Sequence, residues 1–211
     1  MKDKHTVYLI LGVVAIALIA YVAVFNQRKE VAPRSVESYS ETVEYKEPSG
    51  AFSLRYNPLF SITNGAKEFT LDWDSRNTSQ GNLLTTVLIP KSVMPNTNFS
   101  EAKLTVGRSS DEKAIKECTK KEGNETGEKV TLNGFPFMKF DATGAGAGNL
   151  YETTSYRGLL DGDCYVLEYV IHSTNIYNYP PEMGIKEFDK SFVQNELENI
   201  VHGFKFLVNS D

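Results

Sequence analysis

The chain has 211 residues, of which 41% are hydrophobic, and a formal net charge of −5 at pH 7. An acidic chain without a long lysine or arginine run lacks the basic face that nucleic acids require, so we expect no nucleic-acid partner. Two cysteines and three histidines stand in no metal-ligand spacing, so we expect neither a metal site nor a cofactor.

The amino-terminal segment predicts a membrane anchor. Residues 7–26 carry no charged side chain. A helix rises about 1.5 Å per residue, so this segment spans about 30 Å, the thickness of a bilayer core. No small-residue cleavage site follows, and Arg28 and Lys29 come next. We therefore expect residues 7–26 to be an uncleaved, single-pass transmembrane helix. Lys2 and Lys4 before it nearly balance Arg28 and Lys29 after it, so charge leaves the orientation open. The short segment before the span and the two cysteines of the domain favour residues 1–6 as a cytoplasmic tail.

Residues 27–49 predict a linker that holds a domain away from the membrane. They are rich in charged residues and serine, contain Pro33 and Pro48, and show no hydrophobic period. The remaining residues, 50–211, form one extracytoplasmic domain in this interpretation.

Short segments of alternating hydrophobic and polar residues predict that this domain is mostly β-sheet. The expected strands cover residues 51–56, 59–63, 68–75, 82–90, 102–108, 128–134, 135–142, 150–160 and 164–172. In the third of these, alternation places Trp73 on one face and directs Asp72 and Asp74 to solvent. The dipeptide Asp161-Gly162 is typical of a tight hairpin.

Two segments have helical patterns. In residues 109–123, Ser109 and Glu112 have capping-box spacing and Gly123 marks the end. Residues 188–204 carry one apolar stripe, formed by Phe192, Val193, Leu197, Ile200, Val201 and Phe204. A central sheet with one helix packed on it and a second helix is an α+β layered domain.

The glycine-rich stretch 144–148 has two possible roles. A phosphate-binding loop needs a helix after the glycines and usually a lysine, serine or threonine for the phosphate. Here a strand-like pattern follows Gly148. The stretch is therefore interpreted as a hairpin turn, with room for another group to approach its backbone.

The two cysteines, Cys118 and Cys164, are expected to form a disulfide, because paired cysteines are the rule in exported domains. The alternative is two separate buried thiols.

No catalytic residue is expected. The histidines, among them His172, stand in neither of the motifs G-x-S-x-G and H-E-x-x-H, and an unrecognised hydrolase remains a minor alternative. Asp72, Asp74 and Asn77 faintly resemble a calcium-binding loop, but the required glycine and distal glutamate are missing.

One loop is the best candidate for a binding surface. Tyr177 and Tyr179 stand beside two prolines after a predicted strand, and loops with aromatic residues commonly bind partners. Tyr151, Tyr156 and Arg157, on a neighbouring strand, extend the same candidate surface. The alternative is a loop whose tyrosines fold back onto the domain.

Four stretches in order resemble the PsbP-like domain. They are GAFSLRYNPLFSI, TLNGFPFMKFDATGAGAG, YETTSYRGLLDGDCYVLEY and IVHGFKFL, within residues 50–208. This fold is shared by extrinsic photosystem II proteins, a Ran-binding protein and bacterial exported proteins. The resemblance implies a central antiparallel sheet flanked by helices in an α/β/α sandwich, and a non-catalytic role of docking to larger assemblies.

These observations predict a non-enzymatic binding or scaffold protein of a bacterial cytoplasmic membrane. The transmembrane helix is the membrane contact, the domain lies outside the cytoplasm, and the expected partner is another protein of the cell envelope. The alternative is an envelope sensor that binds a small molecule or a cation.

Overall fold

The computed structural model describes residues 41–65, 73–76 and 79–207. The predicted tail (1–6), transmembrane helix (7–26) and most of the linker lie outside these ranges, as do Asp72 and Asn77. Within the ranges that are described, no helix is long and apolar enough to cross a membrane.

Ten strands, two α-helices and three short 3-10 helices make up the regular structure of the described residues. The strands are β1 (Val43–Lys46), β2 (Phe52–Tyr56), β3 (Ser61–Asn64), β4 (Asn82–Pro90), β5 (Phe99–Ser109), β6 (Thr126–Leu132), β7 (Phe135–Gly146), β8 (Asn149–Leu160), β9 (Asp163–Thr174) and β10 (Lys205–Phe206). The helices are α1 (Glu112–Glu117) and α2 (Lys190–Gly203).

Seven strands form the central sheet, in the order β3-β4-β5-β9-β8-β7-β6. Every neighbouring pair is antiparallel, as predicted. The predicted hairpin at Asp161 and Gly162 is confirmed: both residues have positive φ (50° and 84°), as a two-residue turn between twisted strands requires.

A second, three-stranded sheet was not predicted, and it moves the boundary of the domain. Its strand order is β1-β2-β10, and β1 falls inside the segment 27–49 that the sequence analysis assigned to a linker. The Tyr45 hydroxyl donates a hydrogen bond to Asn64 Oδ1 at 2.6 Å, which ties β1 to the end of β3. Among the described residues, regular structure therefore begins at Val43, seven residues before the predicted boundary at Gly50.

Helix α2 covers one face of the central sheet, and its predicted apolar stripe is confirmed. Asp189 caps its N-terminus by accepting a hydrogen bond from the Phe192 amide. The residues buried on the helix are Val193, Leu197, Ile200 and Val201. They join the main core with hydrophobic residues of both sheets, so burial of this stripe fixes the helix on the sheet.

The face of the central sheet opposite α2 is covered by less helix than an α/β/α sandwich implies. Helix α1 has six residues and is shorter than predicted, because it is capped by Asp111 and ends well before Gly123. The hydroxyl of Ser109, the predicted cap, instead donates a hydrogen bond to Gln80 O.

The predicted disulfide is confirmed and connects α1 to the central sheet. Cys118, at the C-terminal end of α1, is bonded to Cys164 of β9, with 5.7 Å between their Cα atoms. Beside it, the backbone at Trp73 approaches β5 so closely that a Cβ atom on Gly107 would lie 2.1 Å from Trp73 O. Glycine at this position therefore allows residues 73–76 to lie on the sheet.

The C-terminal end of α2 is capped by a side chain from the β6–β7 turn. Asn133, which has a φ of 48°, donates from Nδ2 to His202 O at 3.0 Å and to Phe204 O. These carbonyl groups have no partner within the helix, so the side chain replaces water as their donor.

We expect Asn133→Asp to lower the free energy of unfolding by about 1–3 kcal/mol, because a carboxylate cannot donate to these carbonyl oxygens and its charge opposes the helix dipole. Asn133→Gly, which tolerates the same φ without adding charge, should cost less. Urea unfolding of the full chain in detergent at pH 7 measures both. Equal stability of Asn133→Asp and the wild type would contradict the capping role.

Candidate functional site

The candidate site is built on the loop that follows β9. Asn175 begins it as a cap: its side-chain oxygen accepts a hydrogen bond from the Tyr177 amide at 3.1 Å. Two short 3-10 turns follow, Ile176–Asn178 and Pro181–Met183, and Gly184 ends the second with a φ of 62°. The loop is therefore a defined chain of turns.

The glycine-rich hairpin between β7 and β8 supports this loop. Gly148 O accepts hydrogen bonds from the Asn175 amide at 2.8 Å and from Asn178 Nδ2 at 3.1 Å. A Cβ atom on Gly148 would lie 2.3 Å from Asn178 Nδ2. The stretch 144–148 is thus part of a hairpin, as predicted. The group that approaches its backbone is the side-chain amide of Asn178.

Asn98 holds both ends of the loop, and the sequence analysis did not identify it. Its Nδ2 donates to Thr174 O at 2.8 Å, and its Oδ1 accepts from the Phe188 amide at 3.0 Å. Its backbone amide donates to Lys186 O at 2.9 Å. Asn98 is only 5% exposed, so these hydrogen bonds are shielded from water and fix the loop against the sheet.

Tyr151 and His172 stack beside this loop. Their ring centroids lie 4.6 Å apart with a 13° angle between the planes. His172 Nε2 is hydrogen bonded to Asn149 Oδ1 at 2.9 Å, which fixes the imidazole under the tyrosine. Tyr151 therefore presents a ring held in one orientation.

The hairpin and the loop expose a group of hydrophobic side chains. Tyr177 is 92% exposed, while Tyr179 is half-buried. Leu150, Tyr151, Tyr177 and Met183 are four of the eight large hydrophobic residues that are exposed in the described part of the chain. Leu150 and Tyr151 are neighbours on β8, so they point to opposite faces of the sheet. We call Tyr151, Tyr177, Tyr179 and Met183 the tyrosine surface. An open groove of about 520 Å³ runs along the loop from Ile176 to Ile185, and no charged residue lines it.

Two residues of the predicted binding surface do not belong to it. Tyr156 is 3% exposed and Arg157 is 1% exposed. They are neighbours on β8, so they point to opposite faces of the sheet, and both faces are covered here. This correction leaves Tyr151, Tyr177 and Tyr179 as the predicted residues that the structure brings to one end of the sheet.

Tyr156 anchors helix α2 through Glu198. The Glu198 carboxylate accepts hydrogen bonds from the hydroxyl groups of Tyr156 and Tyr169, each as close as 2.7 Å, and from Lys139 Nζ at 3.4 Å. Burial works against ionisation of Glu198, but these hydrogen bonds and the lysine charge outweigh it and hold the pKa of Glu198 below its ordinary value. Burial, together with Glu198, raises the pKa of both tyrosines above their ordinary value.

Arg157 lies in a buried ion-pair cluster on the other face. Its Nη1 donates to Asp74 Oδ2 at 2.8 Å and its Nη2 to Glu168 Oε2 at 3.2 Å. Asp74 is 5% exposed, so the expectation that it faces solvent is wrong. The Ser75 hydroxyl also donates to Glu168, at 2.8 Å. The cluster ties residues 73–76 to the sheet.

The described side chains offer no arrangement of three or more histidine, cysteine, aspartate or glutamate residues that could hold a metal ion. The tyrosine surface presents three aromatic rings with their hydroxyl groups and the thioether side chain of Met183.

Comparison with known proteins gives only distant structural neighbours. No protein-family model and no curated protein matches the sequence. A crystal structure of a protein from Bacteroides thetaiotaomicron is 10% identical, with a TM-score of 0.44. The match covers 80% of this chain and 49% of that one, so the chain spans about half the length of that protein.

Two further solved structures cover most of both chains. Cyanobacterial PsbP from Synechocystis is 8% identical with a TM-score of 0.39, over 83% of this chain and 98% of that one. LpqN of Mycobacterium tuberculosis, described as involved in cell envelope biogenesis, is 12% identical with a TM-score of 0.38. That match covers 80% of this chain and 91% of LpqN. Both are distant likenesses of fold at low sequence identity.

We expect Glu198→Gln to remove part of the acid sensitivity of the protein. A group whose pKa is lower in the folded state adds stability that is present above its unfolded pKa, near 4.5, and is lost as the pH falls through the folded value. The variant should lose about 1.5–3 kcal/mol at pH 7 and less at pH 3. Urea unfolding at both pH values tests this. Glu128→Gln, at an exposed site, is the control, and an undiminished acid effect in Glu198→Gln would contradict the assignment.

Asn98→Ala should loosen the loop, because it leaves the Thr174 carbonyl and the Phe188 amide without their buried partner. We expect a loss of about 1–3 kcal/mol in the free energy of unfolding and faster amide hydrogen exchange for residues 174–188. Asn124→Ala, at an exposed turn, should change neither quantity. Unchanged exchange in Asn98→Ala would show that the loop is held by other contacts.

Proposed function

We propose that this chain is a non-enzymatic binding protein of a bacterial cytoplasmic membrane that docks to another protein of the cell envelope. Its docking site is the tyrosine surface. The observation that carries the proposal is the side chain of Tyr177, which is 92% exposed on a loop that Asn98 and Gly148 hold in place.

The fixed loop supports binding on energetic grounds. Tyrosine is enriched among the residues that dominate interface energies, because its ring offers a large contact area and its hydroxyl group a hydrogen bond. Ordering a loop on binding costs free energy, about 0.5–1.5 kcal/mol for each immobilised side chain. A loop that is already ordered avoids much of that cost.

Two features support a location outside the cytoplasm. The disulfide between Cys118 and Cys164 is typical of proteins that fold in an oxidising compartment. The uncharged segment 7–26 has the length of a transmembrane helix. Together they favour a domain that is tethered to the membrane on its extracytoplasmic side.

A second candidate function is favoured by the groove along residues 176–185. Its volume of about 520 Å³ is within the range of small-molecule sites, and its lining carries no charge. It would suit a neutral ligand rather than a cation. A rise in melting temperature with such a ligand, lost in Tyr179→Ala, would favour a sensor over a docking protein.

Site-specific photo-crosslinking in native cells tests the docking function. A probe that replaces Tyr177 should give one discrete protein adduct. A probe at Leu159 serves as the control, because Leu159 is 49% exposed at the opposite end of β8. Equal adducts from both positions, or none from Tyr177, would count against docking.

The identified partner then allows a quantitative test with Tyr151→Ala. Loss of the fixed ring should weaken binding about thirtyfold, because a hot-spot residue contributes about 2 kcal/mol. Thr153→Ala, on the same strand, is the matched control. An affinity unchanged by Tyr151→Ala would remove Tyr151 from the docking site.

A further inference from the structure

A small cavity lies under α1, on the face of the sheet that α2 does not cover. Its volume is about 10 Å³, close to the minimum that holds one water molecule. Arg76, Ser79, Ala114, Glu122 and Arg157 are among the residues that line it. Trp73, Asp74, Glu117 and the disulfide-bonded Cys118 and Cys164 complete the lining.

Three buried polar atoms belong to residues of this lining: Arg76 Nε, Arg157 Nε and Ser79 Oγ. No described residue is a hydrogen-bond partner for any of them. The side chains of Arg76 and Arg157 are only 5% and 2% exposed. The Glu122 carboxylate oxygen lies 3.9 Å from Arg76 Nε, which is too far for a hydrogen bond. A buried donor without a hydrogen-bond partner costs free energy, so in native proteins most buried donors are paired with protein groups or ordered water.

The hydrogen-bond donors that line the cavity determine which kind of molecule or ion can bind in it. Each Nε–H can only donate, so a guest must accept at least two hydrogen bonds, and a cation cannot do so. An anion is disfavoured because the arginine charges are already balanced: Arg157 is paired with Asp74 and Glu168, and Arg76 with Glu125 at 2.8 Å. A neutral acceptor of single-atom size remains.

We infer that the cavity binds one internal water molecule. The water accepts hydrogen bonds from Arg76 Nε and Arg157 Nε and shares a third with the Ser79 hydroxyl group. It thereby joins Arg76 and Ser79 to Arg157 of β8. None of the residues that line the cavity belongs to the tyrosine surface, so the water site and the docking function can be tested separately.

A crystal structure of the full chain in detergent, with bromide replacing chloride, tests the site directly. We expect one density peak about 2.7–3.2 Å from Arg76 Nε, Arg157 Nε and Ser79 Oγ, with no bromine anomalous signal. A bromine signal would overturn the inference in favour of an anion site. Density showing no peak, or direct protein partners for the three atoms, would also overturn it.

Discussion

Strand β9 is buried on both faces, and this constraint organises the rest of the domain. Leu167, Tyr169 and Ile171 point to the side of α2 and the small sheet. Cys164, Val166 and Glu168 are also buried, on the side of α1 and residues 73–76. A central strand in an antiparallel sheet often leaves one face to solvent. Here each face needs its own cover, so the chain supplies two layers of different construction.

Each layer combines apolar packing with one buried polar anchor. On the α2 side, Glu198 accepts hydrogen bonds from Tyr156 and Tyr169, so the helix is fixed in rotation as well as in position. On the α1 side, Arg157 and Glu168 lie within the sheet and Asp74 comes from the covering segment. A buried pair of this kind contributes little net stability but strongly penalises any arrangement that separates the charges. The anchors therefore specify which surfaces meet.

Local sequence patterns predict many of the strands and helices. Which residues form the candidate binding site depends on contacts between distant parts of the chain. The alternation in β4, the Asp161-Gly162 turn and the stripe of α2 are signals within a few residues, and each was recognised. Alternation shows that Tyr156 and Arg157 face opposite sides, but it cannot show that both sides are covered. Asn98 finds its partners 76 and 90 residues further along the chain, so no nearby residue marks its role.

Both ends of the 175–187 loop are held by the same residue, so the sequence between them can change while the ends stay in place. Asn98 clamps the chain at Thr174 and again at Lys186 and Phe188, and the clamp uses mainly backbone atoms of its partners. Most side chains between these points are free to change without disturbing the sheet, as in other scaffolds that carry variable loops. A new specificity could therefore be grafted onto this framework by replacing loop residues alone, with Asn98, Asn178 and Gly148 kept as the frame.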